Sequence, residues 1–257
     1  MIDFLGEVVR WLVETWDGLV LTQPGGAVID QGFRSGYVWR IWEHVQVSGA
    51  ALLAATLIAL PLGAYFGHTG KGGFAVVSVV NIGRALPSFG IVALALPITI
   101  GLADALPFIS SGLGFLPTFV ALFALALPPI FTNTYAGVQG VNPETVEAAR
   151  GMGVTEGRIL REVELPIASP VILAGIRVSA VQVVATAPLG ALVAYGGLGR
   201  YIIDGFAIRD DVQIFAGALL VAGLSVITEL LFSWVERRVV PHGIRPATSR
   251  EVRRAAA

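Results

Sequence analysis

The chain has 257 residues, 55% of them apolar and 14% charged, with a net charge of −1 and a mean hydropathy of +0.76. That is too oily for a soluble domain and implies one polytopic membrane domain, and a charge near zero gives no sign of a nucleic-acid partner. There is no cysteine, so disulfides and thiolate metal sites are excluded, and three scattered histidines make no ligand cluster.

Residues 1–21 place Asp3, Glu7, Arg10, Glu14 and Asp17 among Phe4, Leu5, Val8, Trp11, Leu12, Trp16 and Leu19. Five charges are costly in hydrocarbon, and the basic start and cleavage site of a signal peptide are missing. The pattern predicts an amphipathic helix lying at the membrane interface. Residues 22–36, with Pro24, Gly25, Gly26, Gly32 and Gly36, read as a loop, so 1–44 form an N-terminal helix and external loop.

The transmembrane domain is expected over 45–236. Val45 to Phe66 carries no charge and is long enough to cross, with Trp39 and Trp42 at the belt position. Its Gly63 and Gly67 form a GxxxG pair, which is either a close helix contact or two chance glycines. His68-Thr69-Gly70-Lys71-Gly72-Gly73 is not a phosphate loop, because no glycine stands five before Gly70 and Gly72 replaces the magnesium-binding Ser or Thr.

Residues 74–103 form an apolar run of roughly 45 Å as a helix against a core of about 30 Å. Arg84 and Pro87 interrupt it, so 85–103 is expected to cross, kinked at Pro87. Arg84 is either a gate or pathway residue or a snorkelling anchor. After a loop marked by Pro107, Gly112, Gly114 and Pro117, Thr118 to Tyr135 is the third span, bent at Pro128-Pro129. Two prolines free backbone carbonyls in mid-membrane, which is tolerated beside helices or a cavity, and this places the span near a pathway.

Residues 140–168 make the longest charged, helix-competent stretch. Asn142 can N-cap a helix that opens with Pro143 and Glu144, and Gly151 and Gly153 can end it. Thr155 can cap a second helix running toward Pro166. Ala148 and Ala149 offer a small strip for close approach, while Glu147 and Arg150 keep the helix wet. By its chemistry alone this is either a docking helix or a solvated loop helix.

The fourth span is expected from Val171 to Tyr195, with Arg177 near its loop end and a kink at Pro188, closed by Gly196-Gly197-Leu198-Gly199. Residues 200–211, with Arg200, Asp204, Arg209, Asp210 and Asp211, read as a loop before the fifth span, Val212 to Trp234. Glu229 is expected to pair with Arg237 or Arg238, and 237–257 form a basic tail. With five spans, twelve basic residues fall on the side of the charged loop and five on the other. The positive-inside rule then puts the amino terminus outside and the loop and carboxyl terminus in the cytoplasm.

Glu147, Ala148, Ala149, Gly153, Val163, Leu165 and Pro166 match the pattern Glu-Ala-Ala, three residues, Gly, nine residues, a β-branched residue, one residue, Leu-Pro. This resembles the EAA loop of the membrane subunits of bacterial ABC importers, with Val163 where isoleucine is commoner. Asn81 to Pro87 resembles the Asn-x-x-Arg-x-x-Pro stretch of amine, betaine and methionine permeases. From residue 45 to 243 the chain is similar to the osmoprotectant permeases for betaine, carnitine and choline. Asn133-Thr134, Glu164-Leu165-Pro166 and Gly175-Ile176-Arg177 favour that group over the methionine permeases.

The resemblance implies an all-α polytopic membrane protein with the five-helix core of a type I importer permease (MetI-like), in the bacterial cytoplasmic membrane. It implies that Glu147 to Gly153, with Arg150, Leu165 and Pro166, couple to a cytoplasmic ATPase. A second permease and an external substrate-binding protein complete the assembly. ATP belongs to the partner subunit, and no cofactor, metal or catalytic residue is expected in this chain. Asp210 and Asp211 are expected to meet the binding protein. Rival readings are a permease for methionine or another small solute, an ion-coupled secondary transporter, and an intramembrane enzyme. The last two lack mid-span acidic residues, an internal repeat, or a paired nucleophile and base.

Overall fold

The computed structural model describes residues 2–15, 20–22, 28–30, 36–71, 76–78, 80, 86–106 and 111–240. The chain runs α1 (Ile2–Glu14), a short antiparallel ribbon of β1 (Val20–Thr22) and β2 (Val28–Asp30), then α2 (Tyr37–Thr69), α3 (Ser88–Ala105), α4 (Phe115–Gln139) and α5 (Pro143–Gly151). It continues as α6 (Glu156–Val193), α7 (Gly199–Ile208) and α8 (Asp211–Val239). Among the described residues α2, α3, α4, α6 and α8 are long and apolar enough to cross a membrane, the five spans the sequence predicts.

Small residues set the packing. Along α2 the buried positions Val47, Ala51, Ala55, Ala59, Gly63 and Gly67 recur every fourth residue, one stripe turned to a neighbour. That neighbour is α4, which also packs against α3 and α6. A Cβ on Gly63 would meet Thr134 Cβ at 2.9 Å, and one on Gly67 would meet the Tyr135 carbonyl at 2.9 Å, so the GxxxG pair is a close contact. From the other side Gly175 of α6 leaves no room beside Asn133 and the Pro129 carbonyl. Leu122, Leu125, Ile130 and Phe131 of α4 fill the core between them with Val183 and Ala187 of α6.

Several expectations are corrected here. Pro87 does not kink a span; it is the N-cap of α3, and the proline inside that helix is Pro97. Residues 22–36 are not all loop, since β1 ends at Thr22 and β2 lies wholly within them. Residues 200–211 hold α7, which an Arg200–Asp204 pair at 2.8 Å supports one turn apart, and which ends where Arg209 turns left-handed at φ 59°. The final helix runs to Val239, into the stretch assigned to the tail.

The largest difference lies at Pro166. The helix begun at Glu156 does not stop there but passes through a π-helical segment, Ile159–Glu164, into the α segment Leu165–Thr186 and a 3-10 end, Ala187–Val193, 38 residues in all. Pro166 sits at the start of the α segment, where a missing N–H is tolerated, and the wide turn before it absorbs the mismatch. Prolines further along leave carbonyls that side chains satisfy. Ser169 Oγ donates to the Pro166 carbonyl at 2.8 Å, the one Pro170 cannot reach. His44 Nε2 donates to the Val184 carbonyl at 2.9 Å, four residues before Pro188.

Candidate functional site: the charged loop and its anchorage

The loop helix α5 forms as its residues dictate. Asn142 Oδ1 accepts from the Glu144 N–H at 2.9 Å, Pro143 occupies the first turn, and Glu144 faces the positive helix end while Arg150 lies in the last turn. Its end is closed by Met152 and Val154 amides donating to Ala148 and Ala149 carbonyls, with Gly153 at φ 81°, a conformation that favours glycine. Thr155 stands at the N-cap position of the next helix, but its side chain makes no capping bond.

One face of α5 is spent inside the protein. Val146 and Ala149 are buried with Val141 and Ile159, under Val154 and Val163. Ala149 is only 4% exposed, so the small strip expected for a partner is reduced to Ala148. The outward face consists of Glu144, Glu147, Ala148, Gly151 and Met152, the last 77% exposed. A Cβ on Gly151 would meet nothing within 4 Å, so nothing in this chain requires a glycine there.

A line of charges ties the loop to the bundle. Arg150 grips Glu156 with two bonds, Nε to Oε1 at 2.7 Å and Nη2 to Oε2 at 3.0 Å. That hydrogen bonding holds the Glu156 carboxyl below its ordinary range and pushes the Arg150 guanidinium up. His68, at the end of α2, reaches Glu164 Oε2 through Nδ1 at 2.6 Å and Glu156 Oε2 through Nε2 at 3.3 Å. Glu164 is 5% exposed and lies in the π-helical segment. Arg150, Glu156, His68 and Glu164 therefore connect α5, the start of α6, the end of its π turn and α2. Sequence reading missed His68 and Glu164 as a pair, since 96 residues separate them.

Leu165 packs with Leu160 and Ile176 on Ala64, Val138, Ala168 and Ile172, and Pro166 is half-buried beside it. These two residues belong to the root of the loop, not to its outward face. At the same end of the bundle Arg177 Nη1 stands 3.1 Å from Glu236 and 3.6 Å from Glu229. Glu229 thus meets an arginine of α6, where the sequence suggested Arg237 or Arg238 more than two turns on along its own helix; Arg238 lies over the Trp234 ring at 5.2 Å.

Of the candidate gate residues, Arg84 lies outside the described residues. Pro87 is exposed at the start of α3. Pro128 and Pro129 are buried inside α4, their carbonyls accepting from Thr132 Oγ1 at 2.7 Å and Asn133 Nδ2 at 2.8 Å. At the far end Asp210 is occupied as the N-cap of α8, its Oδ1 accepting from the Gln213 N–H at 3.0 Å, whereas Asp211 is exposed. Glu43 bridges that end: its carboxylate takes Arg40 at 2.9 Å and the Gly197 N–H at 2.8 Å, and its carbonyl accepts from Tyr195 Oη at 2.7 Å. Among the described residues no cluster of three His, Asp or Glu could hold a metal.

Residues 55–241 match the family of binding-protein-dependent transport system inner membrane components. The chain is 35% identical over 208 residues to the choline transport system permease protein OpuBB of Bacillus subtilis (strain 168), covering 81% of this chain and 90% of the relative. Identity is also 35% over 208 residues, with the same coverage, to that organism's glycine betaine/carnitine/choline transport system permease protein OpuCB. It is 36% over 204 residues to the osmoprotectant import permease protein OsmY of Salmonella typhimurium, covering 79% of this chain and 81% of the relative. In fold, the chain matches a subunit of the inward-facing MetNI methionine ABC transporter with TM-score 0.70 at 22% identity, over 79% of this chain and 96% of that one. An amino acid ABC transporter solved with histidines gives 0.62 at 19% identity, over 79% and 93%. The chain belongs to the binding-protein-dependent transport system inner membrane components and is a multi-pass permease subunit of an ABC importer, not an enzyme.

Proposed function

We propose that this permease takes up quaternary amine osmoprotectants, among them choline, glycine betaine, carnitine and proline betaine. The observation that carries this is the identity of 35–36% over four-fifths of the chain to permeases named for choline, for glycine betaine, carnitine and choline, and for osmoprotectants. Uptake tests it directly: the permease, expressed with its own ATPase and binding protein in cells lacking osmoprotectant uptake, should import at least one of these amines. Import of methionine with none of these solutes would refute it.

In the proposed assembly two permeases, identical or homologous, form the pathway in the lipid, two ATPase subunits bind ATP in the cytoplasm, and a binding protein delivers solute outside. The outward face of α5, with Glu147, Ala148, Gly151 and Met152, seats in the ATPase, while Ala149, Arg150, Gly153, Leu165 and Pro166 hold that face in place. A rigid footing is what coupling needs, and the buried Val146–Ala149–Ile159 contact with the double Arg150–Glu156 bond supports it. Glu147→Arg adds bulk and the opposite charge to the docking face, and Gly153→Val forbids the left-handed turn. Either should abolish uptake and solute-stimulated ATP hydrolysis at wild-type abundance in the membrane; normal uptake would overturn the role. Asp211 is the available docking carboxylate at the other end. Asp211→Lys should weaken association with the binding protein, and more so at low salt.

A further inference from the structure

Four aromatic rings line up along α4 and the turn after α6. Phe115, Phe119 and Phe123 follow one another every fourth residue along α4, with centroids 5.8 and 6.1 Å apart and planes inclined by 16°. Tyr195, from the turn after α6, adds a fourth ring 6.0 Å from Phe115 at 60°. At such spacings near-parallel rings are offset, and much of each π face is left uncovered by the next. Phe115 is exposed, and Phe119, Phe123 and Tyr195 are half-buried, although α4 is the span that α2, α3 and α6 enclose. The open strip therefore lies on the most buried of the five spans.

Its chemistry is selective. No charged residue occurs between Asp104 and Glu144, so α4 itself offers a cation no carboxylate that would hold it. The cation meets ring faces, whose quadrupoles attract a desolvated quaternary ammonium but cannot hydrogen-bond it. The Glu43 carboxylate beside Tyr195 is already taken by Arg40 and by the Gly197 amide. Tyr195 is itself fixed by donating to the Glu43 carbonyl.

Resting on the substrate class given above, we propose that Phe115, Phe119, Phe123 and Tyr195 form a track of weak cation–π sites for a quaternary ammonium group, over about 12 Å of α4 at 1.5 Å per residue. Several weak sites in series admit the ion without trapping it, which passage requires. The strongly binding cage then belongs to the external binding protein, and the track lowers the barrier in transit.

The test is choline uptake by the complete transporter, with its ATPase and binding protein, in proteoliposomes. Position 119 carries phenylalanine with none, one, two or three ring fluorines, which drain the π face while scarcely changing its volume. Uptake at saturating choline should fall stepwise, by roughly two- to fivefold in all for the loss of one ring's attraction. Phe119→Leu should match the trifluorinated protein and Phe119→Tyr the native one, each with a thermal midpoint like the parent. A flat response across the fluorine series, in a transporter that does import choline, overturns the track and leaves the substrate class standing. If the native transporter imports no quaternary amine, the substrate class itself falls, and the track with it.

Discussion

His44 offers a test of how this fold tolerates its prolines. The side chain is 1% exposed and gives its Nε2 proton to the Val184 carbonyl, which Pro188 leaves without an amide partner. In His44→Ala that buried carbonyl loses its donor. An unsatisfied buried group costs about 1–3 kcal/mol, and hydrogen bonds between membrane helices measure about 0.6–1.7 kcal/mol, so roughly 1 kcal/mol is assigned to the bond itself, with more for lost packing. Pro188→Ala restores an N–H four residues on from Val184. The bond's share of the cost should then vanish, and His44→Ala should destabilise the Pro188→Ala protein by about 1 kcal/mol less than it destabilises the native one. Unfolding by a denaturing detergent, followed by circular dichroism for the four proteins of the cycle, measures this. Costs equal within about 0.3 kcal/mol in the two backgrounds would show that His44 acts by packing alone.

Three further outcomes are expected. Glu156 titrates below its unfolded value of about 4.3, so its bond to Arg150 contributes fully above that pH and is lost as pH falls through the lower folded value. Protection of α5 amides from hydrogen exchange should therefore hold down to pH 4.5 in the native protein and be weaker in Arg150→Gln above that pH, the two converging as Glu156 is protonated; identical profiles would refute the link. Gly196→Ala places a methyl against the Glu43 carboxylate and should lower the thermal midpoint, whereas Gly101→Ala, with open space around it, should not; equal midpoints would refute the packing at the turn. Cysteines at Ser111 and Asp211 should react with an impermeant reagent in intact cells, and one at Thr155 only after permeabilisation; labelling of Thr155→Cys from outside would reverse the orientation.

Much of this was readable because membrane folding constrains local chemistry tightly. Five apolar runs gave five spans, and Asn142-Pro143 announced the start of α5, since a cap and its first turn depend on neighbours in sequence. The α7 helix escaped because Arg200, Asp204, Arg209 and Asp210 make a polar stretch look like a loop; the signal present was the Arg200–Asp204 spacing with Tyr201 and Gly205 on the buried side. Pro166 was misread as a stop because its tolerance depends on the π turn before it, which no local pattern announces. The inward turn of Ala149 and the meeting of His68 with Glu164 are tertiary facts. The aromatic strip lay in view at every fourth position, but only the turn carrying Tyr195 shows which way it is closed.

The 38-residue helix α6 is about 57 Å long at 1.5 Å per residue, and it is fastened to α2 near both extremities. At one extremity His68 holds Glu164, and at the other His44 holds Val184 while Glu43 holds the Gly197 amide. Two rods joined at both ends cannot scissor; they turn or tilt together as one plate. The loop end of the bundle and the Gly197 turn therefore ride on one frame. Outside that plate stand α3 and α8, the least buried of the five spans, and any motion relative to it would have to be theirs or that of α4.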